Sequence, residues 1–259
     1  MRPVDRLVAL AMRNQIRGAG RVAHVLYART PGRSVPTTLN GLRWEADPLD
    51  WMDRQVLALG TYEPEISDLL TERCGASGVL WDVGANVGVH AVTVAKRCPQ
   101  ARVLAFEPSP VQFSRLCRNG MLNGVQIRAY CIALAESRGY RDLSVFDAGN
   151  SGLNSLVPWP EVTYSRTMPT WCYTGDDLLK VGLPPPTVLK VDVEGGEAGV
   201  FTGMTCLLRR EELRHVVFES REGASEPDGP ARSLLTSAGF TIERLQSTGG
   251  GGGDWLASR

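Results

Sequence analysis

The sequence predicts an α/β protein built on a mostly parallel, twisted sheet with helices on both faces. Three observations carry that expectation. From Gly78 onward, short β-branched runs alternate with helical segments, the mark of strands joined by crossover helices. The stretch "GVLWDVGANVGVHAVTVA" runs from a strand through a glycine turn into a helix. At the end of the chain, "FTIERL" and "DWLAS" flank a glycine run and read as an antiparallel pair closing the sheet.

Taken in order, strands are expected at about 78–83, 102–106, 125–130, 187–191 and 215–219, where apolar β-formers cluster. One helix opens after Gly88 and another follows Pro110, a residue suited to a first helical turn. A third covers about 196–208, where Val200, Met204 and Leu207 share a face. Between 140 and 170 the alternation breaks: "YRDLSVF" reads as an added strand and "GNSGLNSLVPWP" as a polar, turn-rich loop that binds or covers something. Residues 1–30 carry six arginines against the single acid Asp5, with Val4, Leu7, Val8, Ala11 and Ile16 at helical spacing. That describes a basic amphipathic helix, which either docks its apolar face on the body with the arginines in solvent or lies on an anionic membrane or acidic substrate. The turn-rich "TPGRSVPTTLNG" then reads as a linker, giving an arm and linker over 1–41 and one domain over 42–259.

Composition excludes several function classes. A formal net charge of zero carries no electrostatic signature of nucleic-acid binding. The six cysteines show no CxxC spacing, which argues against a zinc site and fits reduced thiols in the cytoplasm. No apolar run is long enough for an integral membrane segment, and no signal-peptide core opens the chain. A homo-oligomer stays open.

The loop Gly84-Ala85-Asn86-Val87-Gly88 resembles a dinucleotide fingerprint with one glycine missing. Gly84 and Gly88 permit the sharp turn, and Asn86 tolerates left-handed backbone better than most residues. Asp82 stands two residues before the first glycine. A carboxylate there would repel a pyrophosphate and attract a cation, so the loop suits S-adenosylmethionine, which has a sulfonium and an ammonium but no phosphate. The plainer role for Asp82 is to cap nearby amides. Glu107 closes the next strand, where nucleotide folds place an acid on the ribose hydroxyls.

These segments, with "GTYEPEISDLL", "VLAFEPSPVQFSRL", "IALAES", "NSGLNSL" and "VLKVDVEGGEAGVFTGM", follow one another in the order that resembles the FkbM-type family of class I S-adenosylmethionine-dependent methyltransferases. The resemblance spans residues 60–204. It implies a Rossmann-like class I methyltransferase fold and a cofactor site. Asp82, Gly84, Ala85, Asn86 and Gly88 would hold the methionine portion and Glu107 the ribose. Ser109, Ala133 and Leu134 would line the adenine slot, with Tyr62 and Glu63 near the amino-acid end. Gly175 departs from the family pattern, standing where an apolar residue usually precedes the paired aspartates and loosening the approach to that helix.

Methyl transfer to an alcohol needs an in-line acceptor and a base for its proton. Strand alternation sets Lys190, Asp192 and, if extended geometry persists, Glu194 on one side at the carboxyl edge of the sheet. Asp192 or Glu194 is expected to be the base or hydroxyl anchor, with Lys190 fixing its charge; a structural ion pair is the alternative. The clustered carboxylates could also hold a divalent metal, but the sequence does not require one. His90, Asn150, Ser151 and Asn154 are candidates for substrate binding, while Trp159 and Trp171 suit an acceptor wall or ordinary core. The expected activity is O-methylation of a hydroxylated small molecule such as a sugar, polyketide or other natural product. An N-methyltransferase and a non-catalytic cofactor-binding module are the rivals.

Overall fold

The computed structural model describes residues 34–146, 149–220, 229–245 and 253–259, with isolated positions between 8 and 26. The arginines of the N-terminal arm and most of the glycine run lie outside the described residues. Val8 and Met12 are described, and both are buried against the first hairpin.

That hairpin corrects the linker expected up to residue 41. Val35–Leu39 (β1) and Leu42–Ala46 (β2) pair antiparallel, so a boundary after residue 41 cuts through their turn. Asn40 and Gly41 both hold positive φ (50° and 81°), the pattern of a tight two-residue hairpin turn. Helices α1 (Trp51–Leu59) and α2 (Pro64–Cys74) lead from the hairpin to the sheet.

The doubly wound body then runs β3 (Val79–Val83), α3 (Val89–Arg97), β4 (Arg102–Phe106), α4 (Pro110–Asn123) and β5 (Arg128–Tyr130). A small three-stranded sheet follows, made of β6 (Ala133–Leu134), β7 (Gly139–Val145) and β8 (Arg166–Tyr173). The second half has α5 (Gly175–Lys180), β9 (Val188–Val191), α6 (Glu197–Thr202) and β10 (His215–Ser220). Helix α7 (Pro230–Ser237) and strands β11 (Thr241–Arg244) and β12 (Gly253–Ser258) complete it.

The main sheet has the order β11-β12-β10-β9-β3-β4-β5. Its five central-to-edge strands from β10 to β5 are parallel, and β12 runs antiparallel to both β10 and β11. Alternate residues feed two cores. Trp81, Leu104, Phe106, Leu189 and Phe218 pack on the α6 and α7 side, while Leu80, Val103, Ala105, Val188 and Val217 pack against α2, α3 and α4. Burial on both faces explains why these strands read as near-continuous apolar runs.

Two expected elements are shorter than the pattern suggests, and one is the strand expected at 125–130, which covers only Arg128–Tyr130. The helix expected over 196–208 stops at Thr202, and its cap Gly203 has no room for a side chain, since a Cβ there would lie 2.1 Å from the Ala135 carbonyl oxygen. A 3-10 turn at Leu207–Arg209 continues the apolar face, and Val200, Met204 and Leu207 are all fully buried as expected. Gly175 does not loosen its helix. Met204 fills the space a side chain would take, within 2.4 Å of an ideal Cβ, while Thr174 caps α5 through the Asp177 amide. All six cysteines carry free thiols. Among the described residues, no helix is long and apolar enough to cross a membrane.

Candidate active site

A cavity of about 570 Å³ opens over the carboxyl ends of β3, β4, β9 and β10. This is the edge where open α/β sheets bind ligands, and it includes the switch between β3 and β9, from which the chain winds in opposite directions. The parallel register decides what meets there. Asp82 of β3 stands beside Lys190 of β9, and Val83 beside Phe106, so the residues that follow them, Gly84 and Glu107, come out at neighbouring strand ends.

The turn after β3 has the conformation its residues favour. Gly84, Asn86 and Gly88 all hold positive φ (76°, 49° and 89°). Gly84 is also forced by packing, since a Cβ there would sit 1.8 Å from the Asp192 carbonyl oxygen. Gly84, Ala85 and Asn86 face the cavity. Gly88 does not; it begins α3 and packs against Leu116.

Glu107 is buried at the cavity wall and accepts two backbone hydrogen bonds, from Asn86 N–H and Ser109 N–H, both at 2.8 Å. Burial pushes its carboxyl up to about 7, against the pull of those two amides and of Lys190. Each oxygen keeps a further lone pair able to accept. Ala133 and Leu134 line the wall beyond it, but Ser109 stands behind: its hydroxyl bonds Gln112. Its part is to hold Glu107, which corrects its expected place in the slot.

Asp82 is likewise behind the wall. It is completely buried, and neither carboxylate oxygen has a hydrogen-bond donor among the described residues; its partner is the Lys190 ammonium at 3.6 Å. Lys190 also bonds Asp192 at 3.0 Å, so one ammonium bridges two acids. Burial would lower the Lys190 pKa, but Asp192 and Asp82 raise it well above the usual lysine range. Burial works against the Asp192 carboxylate too, yet Lys190 and a hydrogen bond from the Glu219 side chain hold it below the usual aspartate range.

Glu194 does not continue the strand. Strand β9 ends at Val191, and Glu194 and Gly195 both turn left-handed (φ 57° and 95°). The Glu194 carbonyl accepts from Ser155 Oγ and Trp159 Nε1, each at 2.8 Å, and Glu197 accepts the Val193 and Gly195 amides. This pinned loop returns the Glu194 side chain to the cavity by a route that strand alternation does not describe. There Asp192, Glu194 and Glu219 bring one carboxylate oxygen each within 4.8 Å of one another, an arrangement a divalent cation could share.

Tyr62 and Glu63 enter from the start of α2, and Glu63 is itself left-handed (φ 41°). Burial and the neighbouring Glu63, Asp192 and Glu219 raise the Tyr62 phenol, keeping it protonated. His90 lines the cavity with both ring nitrogens engaged, Nδ1 with Ser67 Oγ at 3.0 Å and Nε2 with Glu63 Oε2 at 3.2 Å. Its geometry is that of a brace for Glu63.

The loop carrying Asn150, Ser151 and Asn154 closes one side of the cavity. Asn150 accepts from the Gly152 amide and Asn154 from the Phe146 amide, so both stabilise their own turns. Ser151 Oγ reaches Asn86 Oδ1 at 3.4 Å, tying the loop to the glycine turn. Trp159 stands against Gly195 beside the site, whereas Trp171 stacks on exposed Tyr140 away from it. Sequence reasoning missed Glu219 and Asp50. Glu219 follows the apolar run of β10 as Glu107 follows β4, and the same rule applied one strand further would have found it.

The Methyltransferase FkbM domain profile matches residues 82–242, well over half of the chain. The chain belongs to the FkbM methyltransferase family. Among its relatives, the hexuronic acid methyltransferase AglP of Haloferax volcanii is 34% identical over 182 residues, covering 70% of this chain and 71% of that protein. The 31-O-demethyl-FK506 methyltransferase FkbM of Streptomyces tacrolimicus is 26% identical, covering 68% of this chain and 80% of its own length. The crystal structure of methyltransferase FkbM from Methylobacillus flagellatus superposes with a TM-score of 0.51 at 15% identity, over 71% of this chain and 44% of that one. That last likeness speaks for the fold alone. This FkbM-family chain is therefore a methyltransferase with a Rossmann-like fold.

Proposed function

We propose that the protein is an S-adenosylmethionine-dependent O-methyltransferase acting on a hydroxyl of a small molecule, a sugar, polyketide or other natural product. The observation that carries this reading is a single cavity joining the Gly84–Asn86 turn and Glu107 to the carboxyl groups of Asp192, Glu194 and Glu219. The donor set fits the cofactor. Buried Asp82 has acceptor capacity left over beneath the turn, and acids predominate at the end where a cationic methionine group would lie. Pyrophosphate would meet those same acids as repulsion.

In this reading, Glu107 accepts from the ribose hydroxyls, and Ala133 and Leu134 give the base an apolar wall. Tyr62 and Glu63 approach the amino-acid end, with His90 holding Glu63 in place. When bound, the cofactor supplies an electrophilic methyl group on sulfur. Asn150, Ser151 and Asn154 border the acceptor, and their loop limits access of water. The carboxyl groups beyond Lys190 anchor the acceptor hydroxyl and take its proton, while Lys190 keeps Asp192 ionised. Support for a sugar or natural-product acceptor comes from the named substrates of the hexuronic acid and FK506 methyltransferases.

The test is incubation with methyl-labelled S-adenosylmethionine and a panel of hexose and hexuronic acid glycosides, polyols and hydroxylated cell extracts. Label is expected in an ether bond of an acceptor. Label appearing only in N-methyl groups would contradict the oxygen acceptor, and Asp192→Asn would then hurt turnover far less than it does with an alcohol.

A further inference from the structure

We propose that Trp51 is the stacking platform for the acceptor and that the acceptor it selects is a pyranose sugar. The inference rests on the hydroxyl-transfer reading above and narrows it. Trp51 opens α1 and lines the cavity, yet 44% of its surface is exposed, although an indole gains much from burial. Two other tryptophans near the small sheet are already engaged. Trp159 donates its Nε1 to the Glu194 carbonyl and packs its ring against Gly195, and Trp171 stacks on Tyr140.

The backbone under Trp51 is fixed to the loop that borders the acceptor. The Trp51 amide donates to the Gly149 carbonyl at 2.6 Å, and Asp50, which caps α1, accepts the Ser151 amide at 2.8 Å. Three residues after Gly149, Gly152 lies against Glu194: a Cβ on it would be 3.8 Å from the Glu194 carboxyl. Three residues span at most about 11 Å. Trp51 and Glu194 therefore stand at the two ends of one short stretch of loop, both lining the same cavity.

A pyranose suits both ends. Its ring carries an apolar face of C–H groups, which the negative face of an indole attracts, and a rim of neighbouring hydroxyls. Asp192, Glu194 and Glu219 each bring a carboxyl oxygen within 4.8 Å of the others, and three carboxyl groups side by side offer more acceptor positions than one hydroxyl fills. A lone hydroxyl on a hydrocarbon frame would displace their water without replacing its hydrogen bonds. An open-chain polyol brings the hydroxyls but no ring face. A sugar ring supplies both.

The experiment compares wild type, Trp51→Ala and Trp51→Phe on methyl hexopyranosides of gluco, galacto and manno configuration and on the matching open-chain hexitols, with methyl-labelled S-adenosylmethionine. Wild type is expected to label a pyranoside at lower KM than its hexitol. Trp51→Ala should raise the pyranoside KM about 10-fold, equivalent to ~1.4 kcal/mol, with kcat and the hexitol KM within about twofold, because a platform binds ground and transition states alike. Trp51→Phe should keep most of the affinity. Pyranoside should change the tryptophan fluorescence of wild type and leave that of Trp51→Phe unaltered, and donor affinity by calorimetry should match in all three. An unchanged pyranoside KM in Trp51→Ala would overturn the assignment, as would an equal rise on both acceptors, which marks a general packing role. Label entering a hydroxylated polyketide while every pyranoside is passed over would sink this inference and leave the hydroxyl-transfer reading standing. If wild type labels no hydroxyl of any kind, that reading fails first and takes this inference with it.

Discussion

Glu107 shows how much one side chain can report about this site. Its carboxyl is raised from 4.5 to about 7 by burial, so the folded state binds its proton more tightly than the unfolded chain does. For a raised acid, the stabilising contribution is present below pH 4.5 and disappears as pH climbs through about 7. The lost stability is on the order of 3 kcal/mol. Thermal unfolding of the wild type should therefore show a decline across that window that Glu107→Gln lacks. Equal pH slopes in the two proteins would contradict the burial argument. The same substitution should weaken donor binding by about 1–3 kcal/mol, the range for losing a charge-assisted hydrogen bond, as read by calorimetry. Glu107 was legible in the sequence because an acid ending an apolar strand has few structural uses. Asp82 was legible only in part: its position was visible, but its burial behind Lys190 depends on the register of two strands 108 residues apart. Glu219 went unread although it too closes an apolar run, Val216-Val217-Phe218, by the rule that made Glu107 visible.

Among the elements, the loop over 149–157 depends on a neighbour distant in sequence. Asp50 caps α1 by accepting the Asp53 amide, and its other oxygen accepts the Ser151 amide at 2.8 Å. The Trp51 amide bonds the Gly149 carbonyl alongside it. A single carboxylate thus starts a helix and fastens the loop over 149–157. Asp50→Ala should cost about 1 kcal/mol or more by chemical denaturation, from the lost cap alone. Amide exchange at Ser151 should also accelerate, while Glu107 and the donor affinity stay unaffected. Unchanged exchange at Ser151 would show that the loop holds itself. Periodicity made the alternating strands and the helices after Gly88 and Pro110 legible. It missed the β1–β2 hairpin, whose Pro and Thr residues resemble a linker until the Asn40–Gly41 turn brings the two strands together. It also overran α6, because the apolar face continues past Gly203, in Met204 and Leu207, after the helix has ended.

For the molecule as a whole, the order β11-β12-β10-β9-β3-β4-β5 gathers the chemistry into one place. The parallel strands all present their carboxyl ends at the cavity, and the antiparallel β12 brings Asp254 beside Glu219 at the same edge. The fold class was legible because both faces of the sheet are covered and its strands are uniformly apolar. The strand order was not, since it depends on which crossover passes over which face. Under the proposed function, this edge is built for a cationic, phosphate-free nucleoside. Calorimetric titration of the purified protein with S-adenosylmethionine and, separately, with NAD tests it most directly. Saturable uptake of S-adenosylmethionine with no heat from NAD is the result expected; binding of NAD with indifference to S-adenosylmethionine would contradict it.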